Sequence, residues 1–311
     1  MESHKGYFKG IFVIVAASFL WGTTGLAANY SEAVSALAIG ALSSGVGGIL
    51  LVITSRNKLL IDYKLILQQP TLLLLGAISV SIYPLAFYSS MRLSGVAIGT
   101  VVSIASAPLF AAILDRLISK KHISLQWFLS FIIGAIGIIL LVLGKEQIHL
   151  EVNNLHEETF GVLLGCIAGL TYASYSWVAK RLIESGVHSR SSMSGLFGCA
   201  AFLLLPSLWF TGDNLFSNPT NISISLYIGI IPMFIGYLLF GFGLNFINAS
   251  KATLITLIEP LIATILAVCI IGEKFKVIGW VGVCLVLLCL LIQTIKPPSL
   301  STRRAESMPC E

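Results

Sequence analysis

Ten apolar segments divide the chain, at roughly residues 8–28, 34–53, 71–90, 95–117, 125–143, 160–180, 192–210, 223–243, 249–270 and 277–295, with short polar stretches between them. Each is close to the ~20 residues a helix needs to cross the hydrocarbon core of a bilayer. Ten such spans occupy about 200 of the 311 residues, which leaves room for loops and tails but not for a large extramembrane domain. Composition points the same way: 56% of residues are hydrophobic, only 11% are charged, and the mean hydropathy is +0.93. A soluble domain carries about 25% charge on its surface. An outer-membrane barrel would alternate polar and apolar residues, whereas 132–143 and 281–292 are almost unbroken aliphatic or small residues. The chain therefore reads as an all-α polytopic membrane protein of ten transmembrane helices, with the lipid bilayer as its main partner.

The first segment follows Lys5 and Lys9 in the manner of a signal peptide. It runs on through Phe19-Leu20-Trp21 without a small-x-small cleavage site, so it reads as a retained helix. Charge then orients the bundle. With a cytoplasmic N-terminus, the inner side holds Lys5, Lys9, Arg56, Lys58, Lys64, Arg116, Lys120, Lys121, Lys180, Arg181, Arg190, Lys251, Lys296, Arg303 and Arg304, and the outer side only Arg92, Lys145, Lys274 and Lys276. Fifteen against four places both termini in the cytoplasm, as the positive-inside rule requires of a cytoplasmic-membrane protein. The net charge of +5 is thus accounted for by retention charges, and no nucleic-acid partner is needed.

The chain also repeats itself. At an offset of 152, residues 95–118 overlay 247–270 and match Ala97 with Ala249, Pro108 with Pro260, Leu109 with Leu261, Ala111 with Ala263, Ile113 with Ile265, Leu114 with Leu266 and Ile118 with Ile270. The implied units are residues 6–144 and 160–295, joined by a polar linker at 145–159 and followed by a cytoplasmic tail at 296–311. Five spans per unit force the second copy into the membrane upside down relative to the first. Two inverted five-helix repeats give one state open to each side, the geometry of alternating access.

Specific residues now carry a family likeness. The run Phe242-Gly243-Leu244-Asn245-Phe246-Ile247-Asn248-Ala249-Ser250-Lys251-Ala252, continued by Glu259-Pro260-Leu261-Ile262-Ala263 and Gly272-Glu273-Lys274 with Gly279, resembles the second repeat of the EamA branch of the drug/metabolite transporter superfamily. The first copy is present as Tyr88-Ser89-Ser90-Met91-Arg92-Leu93-Ser94-Gly95-Val96-Ala97 and Ala107-Pro108-Leu109-Phe110-Ala111. The similarity spans residues 8–295. It implies a ten-helix secondary transporter, frequently an exporter of amino acids or other metabolites, with a central cavity built by both repeats. The sequence departs from the pattern after the fourth helix, where Lys120-Lys121 stands in place of Gly-Glu.

Small residues and prolines have physical roles in such a bundle. Gly134 and Gly137, Gly161, Gly165 and Gly169, and Gly279 and Gly282 are three or four apart and put small faces on single helices, suited to close packing or to a hinge. Pro84, Pro108, Pro232 and Pro260 fall inside apolar segments, where each removes a backbone donor. The repeat relates Pro108 to Pro260, so these two are read as symmetric kinks beside the pore, or as packing bends.

Glu259 is the most informative charge. It lies near the middle of the ninth segment, between Thr253, Thr256 and Leu257 on one side and Pro260 on the other. A carboxylate at that depth is costly unless it is neutralised, paired or hydrated. Three roles compete: a coupling or substrate-amine-binding group, a structural acid bonded to a neighbouring helix, and a partner for Lys251 or Arg92. Its counterpart in the first repeat is Ala107, so the site is asymmetric. Lys251 and Arg92 at span ends fit snorkelling better than ligand binding, and Asp115 beside Arg116 reads as interfacial.

Trp21, Tyr83, Phe87, Tyr88, Tyr172, Tyr175, Trp177 and Tyr237 sit inside apolar segments and not only at their rims. Buried Tyr and Trp need polar partners, so they line a wet cavity or else pack between helices. Trp21 and Tyr172 occupy comparable depths in the two repeats. With Ser103, Asn245, Asn248 and Thr256 they outline a pocket for a small organic solute with an apolar part, although Asn245 and Asn248 also suit a loop. Trp127, Trp209 and Trp280, near segment ends, suit the interfacial belt.

Catalytic and metal chemistry have no support. His4, His122, His149, His156 and His188 fall in tails or loops. Cys166, Cys199, Cys269, Cys284, Cys289 and Cys310 contain no C-x-x-C pair and read as small hydrophobes. No G-x-x-x-x-G-K-[ST] loop is present for ATP. The expectation is a cofactor-free carrier that moves a small organic metabolite outward, an amino acid or related amphiphile, with the proton gradient as a candidate energy source. Import or facilitated diffusion, nucleotide-sugar exchange, a channel and a non-transporting scaffold are the alternatives. A monomer is favoured over a dimer, since glycine faces serve within one bundle as readily as between chains.

Overall fold

The computed structural model describes residues 4–28, 30–31, 33–144, 155–272, 274 and 276–295. Most of the expected linker, the tail and Glu273 of the Gly-Glu motif lie outside the described residues. Among the described residues, ten helices are long and apolar enough to cross a membrane: α1 (Lys5–Ala28), α2 (Ala36–Leu67), α3 (Pro70–Ser94), α4 (Ile98–Leu117), α5 (Leu125–Leu143), α6 (His156–Glu184), α7 (Ser189–Thr211), α8 (Pro219–Gly243), α9 (Ala249–Ile270) and α10 (Val277–Thr294). The protein is an all-α, multi-pass membrane protein, as its hydropathy required.

Local chemistry sets the helix boundaries. Ser35 and Ser124 cap α2 and α5 by accepting from the amides of Ala38 and Trp127, which satisfies donors that a helix start leaves open. Asn218 does the same for α8, accepting from Asn221 at 2.7 Å, with Pro219 at the first helical position. Between α3 and α4 the chain reverses so sharply that a Cβ added at Gly99 would lie 2.7 Å from the Cα of Met91.

Partners are exchanged between the two halves. The first helix of the first half, α1, packs on α8 and α9 of the second; its counterpart α6 packs on α3 and α4 of the first; α2 pairs with α7 and α5 with α10. The two units are thus interlocked. Glycine permits the tightest crossings. A Cβ at Gly137 would come within 3.0 Å of the Val286 amide nitrogen and 3.1 Å of the Gly282 carbonyl, and one at Gly161 within 2.6 Å of the Ser94 nitrogen. The glycine faces read from the sequence therefore act in packing, at α5–α10 and at α6 against α3–α4.

The outward surface is apolar. Phe12, Phe202, Trp209 and Phe210 are largely exposed, as side chains that face lipid are. Trp209 and Trp127 both lie near a helix end as expected, but only Trp209 faces outward. Trp127 is 3% exposed, stacks on Phe131 and donates from Nε1 to the Ser250 carbonyl at 3.0 Å. Tyr7 donates to the Gln293 carbonyl at 2.7 Å, so both described ends of the chain lie on one face, hereafter the terminal face.

The prolines act unequally. Pro232 lies in a π-helical stretch, Gly229–Ile235, within α8, where its missing N–H disrupts the ordinary ladder. The helix of α4 runs unbroken through Pro108. In α9, helix Ala249–Ile255 stops, Thr256 and Leu257 form a turn, and helix Ile258–Leu266 resumes with Pro260 in its first turn. The symmetric relation expected of Pro108 and Pro260 is thus absent at the level of helix continuity.

Candidate functional site

The break in α9 places Glu259 at the second position of a new half-helix, where its amide bonds to the Thr256 carbonyl at 2.9 Å. A carboxylate in a first turn is favourably placed against the helix dipole. The side chain is half-buried, and among the described residues its carboxylate makes no hydrogen bond or ion pair. No described Lys, Arg or His bears on its charge. Its electrostatic neighbours are phenols, those of Tyr83, Tyr88, Tyr172 and Tyr237.

These phenols belong to a continuous aromatic wall. Tyr83 stacks on Phe87 at 5.8 Å between centroids and meets Tyr172 at 5.5 Å and Tyr175 at 6.0 Å. Phe87 contacts Tyr88 edge-on at 5.3 Å. From α8, Tyr237 packs 4.9 Å from Trp21 and 4.1 Å from Phe197. The polar ends of Trp21, Tyr172, Tyr175 and Tyr237 are satisfied internally. The Tyr172 hydroxyl donates to Thr256 Oγ1 at 2.9 Å, which donates onward to the Thr253 carbonyl, and the Tyr175 and Tyr237 hydroxyls share a bond of 2.9 Å. Trp21 Nε1 donates to the Pro232 carbonyl at 3.0 Å, so the π-helical stretch of α8 supplies the acceptor for an indole on α1. Gly236 makes room for that indole, since a Cβ there would sit 2.6 Å from Nε1. Tyr83, Phe87, Tyr88 and Glu259 retain partial exposure; Trp21, Tyr172, Tyr175, Tyr237 and Thr256 are buried behind them.

Two residues read from the sequence as cavity lining lie elsewhere. Trp177 donates from Nε1 to Ser119 Oγ at 2.9 Å, towards the terminal-face end of the bundle. Ser103 is 1% exposed in the seam between α4 and α6, where a Cβ at Gly169 would approach its carbonyl to 2.8 Å. Phe197 and Phe240, both buried in the wall, had no sequence signal, because a phenylalanine in an apolar span looks the same facing a cavity or a core.

Charged side chains pair across the terminal face. Lys121 lies 2.7 Å from Glu184 Oε1, 3.2 Å from Asn248 Oδ1 and 3.7 Å from Asp115 Oδ1. Asp115 is 1% exposed and accepts from the Ser250 amide at 3.1 Å, so it is not the interfacial group its neighbour Arg116 suggested. Buried Lys180 donates to the Leu244 carbonyl at 2.7 Å. Asn245 and Asn248 belong to this loop region and not to the aromatic wall. Lys251 reaches Tyr7 at 3.2 Å, and Arg92 is exposed at the end of α3. This clamp joins α4 to α6 and to the α8–α9 connection, and therefore one half of the chain to the other. Among the described residues no His, Cys, Asp or Glu cluster is arranged to hold a metal ion.

Comparison with known proteins fits this geometry. The profile of the EamA-like transporter family matches twice, at residues 8–143 and 159–295. The chain is 32% identical over 98% of its length to YwfM of Bacillus subtilis, described as an uncharacterized transporter, and covers 99% of that protein. It is 22% identical over 96% of its length to YicL of Salmonella typhimurium, an uncharacterized inner membrane transporter, of which it covers 98%. A solved crystal structure superposes with a TM-score of 0.75 at 15% identity, covering 92% of this chain and 97% of that one, a likeness of fold alone.

Proposed function

Given that the chain belongs to the EamA-like transporter family, and so carries small molecules across a membrane as a secondary transporter, we propose that it moves an amino acid or related amphiphilic metabolite outward across the cytoplasmic membrane by alternating access. The observation that carries this reading is Glu259, a half-buried, unpartnered carboxylate at a broken transmembrane helix, faced by an aromatic wall. Interrupted helices near the midplane are where carriers expose backbone and charge to solute. Rings supply contact area, and a few polar groups set the ligand's orientation. Glu259 binds the solute's amine or a coupling proton; Trp21, Tyr83, Phe87, Tyr88, Tyr172, Tyr175 and Tyr237 form the wall.

The units of exchange are taken as residues 6–144 and 160–295, working as a monomer. The terminal face, rich in Lys and Arg, is read as cytoplasmic. In that reading the Lys121 clamp closes the inner gate while Tyr83, Phe87, Tyr88 and Glu259 stay accessible. The outward direction rests on the likeness to metabolite exporters. Nucleotide-sugar exchange is disfavoured, because a diphosphate needs cations, and the non-exposed Lys121, Lys180 and Lys251 are engaged away from the wall.

The test is counterflow in proteoliposomes of purified protein, with a panel of amino acids, amines, purines and sugar nucleotides under imposed pH gradients. A carrier gives saturable accelerated exchange, a channel gives flux without acceleration, and a scaffold gives neither. Glu259→Gln is expected to preserve folding and to abolish transport or flatten its pH dependence; unchanged transport across pH refutes the role given to Glu259.

A further inference from the structure

Charge balance in the wall narrows the solute further. Glu259 brings a carboxyl group into the membrane interior, and among the described residues no ion pair offsets the charge it carries when ionised. Among the described Lys and Arg, all but Lys121, Lys180 and Lys251 are exposed, and those three are held at the terminal face by Glu184, the Leu244 carbonyl and Tyr7. The polar groups of the wall are mostly spent on one another, through the Tyr172–Thr256, Tyr175–Tyr237 and Trp21–Pro232 bonds. The half-helix start at Ile258 offers anion-binding character, but Glu259 already occupies its first turn.

Resting on the carrier reading above, we infer that this site selects an organic monocation, an ammonium on an aromatic or branched apolar body, over the zwitterion or anion of the same skeleton. An ammonium neutralises Glu259 and gains from the ring faces of Tyr83, Phe87 and Tyr88, which remain accessible beside it. A carboxylate on the same molecule meets no guanidinium or ammonium of the described residues there, and it adds a like charge near an ionised Glu259 in a medium of low dielectric. Within the range of amphiphilic metabolites proposed above, the cargo is thereby narrowed to amines or carboxyl-blocked derivatives, with free amino acids the poorer ligands.

Phenethylamine, phenylalanine and phenylpropionate share one ring and differ in charge, so they isolate this term. Equilibrium dialysis of radiolabelled phenethylamine against the purified full-length protein in detergent, with the other two as competitors, measures it directly. The amine is expected to bind about tenfold or more tightly than either competitor. Glu259→Gln is expected to lose at least about tenfold for the amine, and Glu259→Asp, which keeps the charge, to retain most of it. Equal competition by phenylalanine or phenylpropionate, unchanged amine binding in Glu259→Gln, or no saturable amine binding at millimolar concentration would overturn the inference. Counterflow separates it from the carrier reading. Amine binding without counterflow supports the site and refutes the carrier, while counterflow of the zwitterion or anion in preference to the amine refutes the inference and leaves the carrier standing.

Discussion

Lys120 and Gly272 stand at the repeat offset of 152 and share an unusual backbone, φ 52° and 78°, each just after the fourth helix of its repeat. The departure from Gly-Glu at Lys120-Lys121 thus leaves the turn in place but puts a lysine where left-handed geometry favours glycine. Lys120→Gly is expected to leave stability unchanged or raise it by up to ~1 kcal/mol, and Gly272→Ala to lower it by about 1 kcal/mol. Thermal unfolding of the purified protein in detergent checks both, and a reversed order would refute the equivalence.

The neighbouring lysine, by contrast, works through its side chain. Lys121→Ala removes the bond to Glu184 and leaves buried Asp115 with only the Ser250 amide. Both Lys121 and Glu184 are partly exposed, so the stability cost is expected to be only about 1 kcal/mol. The informative change is in access: with the exposed native cysteines replaced, Ala252→Cys, at a fully buried position of α9, should react faster with maleimide once Lys121 is gone. Equal reactivity would mean that the clamp does not hold the terminal face shut.

Trp21 and Gly236 are coupled by space. Gly236→Ala puts a methyl group against the indole nitrogen and displaces the bond to Pro232, whereas Trp21→Phe removes the donor and keeps the room. The glycine variant is expected to cost 1–3 kcal/mol through overpacking and the tryptophan variant about 1 kcal/mol through the lost bond. In the double variant the penalty should fall below the sum. Strict additivity in unfolding measurements would show that the two do not touch.

Tyr172 and Thr256 allow a cleaner cycle. Tyr172→Phe and Thr256→Val each remove one side of the 2.9 Å bond, and the coupling energy is expected near 0.6 kcal/mol, the mean for interhelical hydrogen bonds in membranes. Because this bond pins the break in α9, both variants should also slow counterflow. A coupling energy of zero would detach the aromatic wall from the break.

The features visible in the sequence are those set by period and composition. Hydropathy located ten helices, glycine spacing marked the α5–α10 and α6 crossings, and a lone carboxylate in an apolar run marked Glu259. Polar pairings across long sequence separations were not visible. Trp127 looks interfacial until Ser250, far along the chain, proves to be its acceptor, and Trp177 looks like a cavity residue until Ser119 takes its N–H. Asp115 and Lys121 are ordinary boundary charges in a linear reading, and their role depends on where α6 and the α8–α9 connection arrive. The break in α9 was signalled only indirectly, by a proline next to a glutamate, and the same proline signal at Pro108 led nowhere.

The exchange of partners, α1 with α8 and α9, has a consequence for biosynthesis. When α1 leaves the ribosome its neighbours have not been made, and α8 follows only after most of the chain. At about 5–20 residues per second the delay is on the order of ten seconds or more. During that time the small, partly polar face of α1, including Trp21 and Gly22, has only lipid or an insertion chaperone to contact. Maturation of the first half is therefore tied to synthesis of the second, and a chain halted before α8 is expected to be a substrate for membrane quality control, not a stable half-protein.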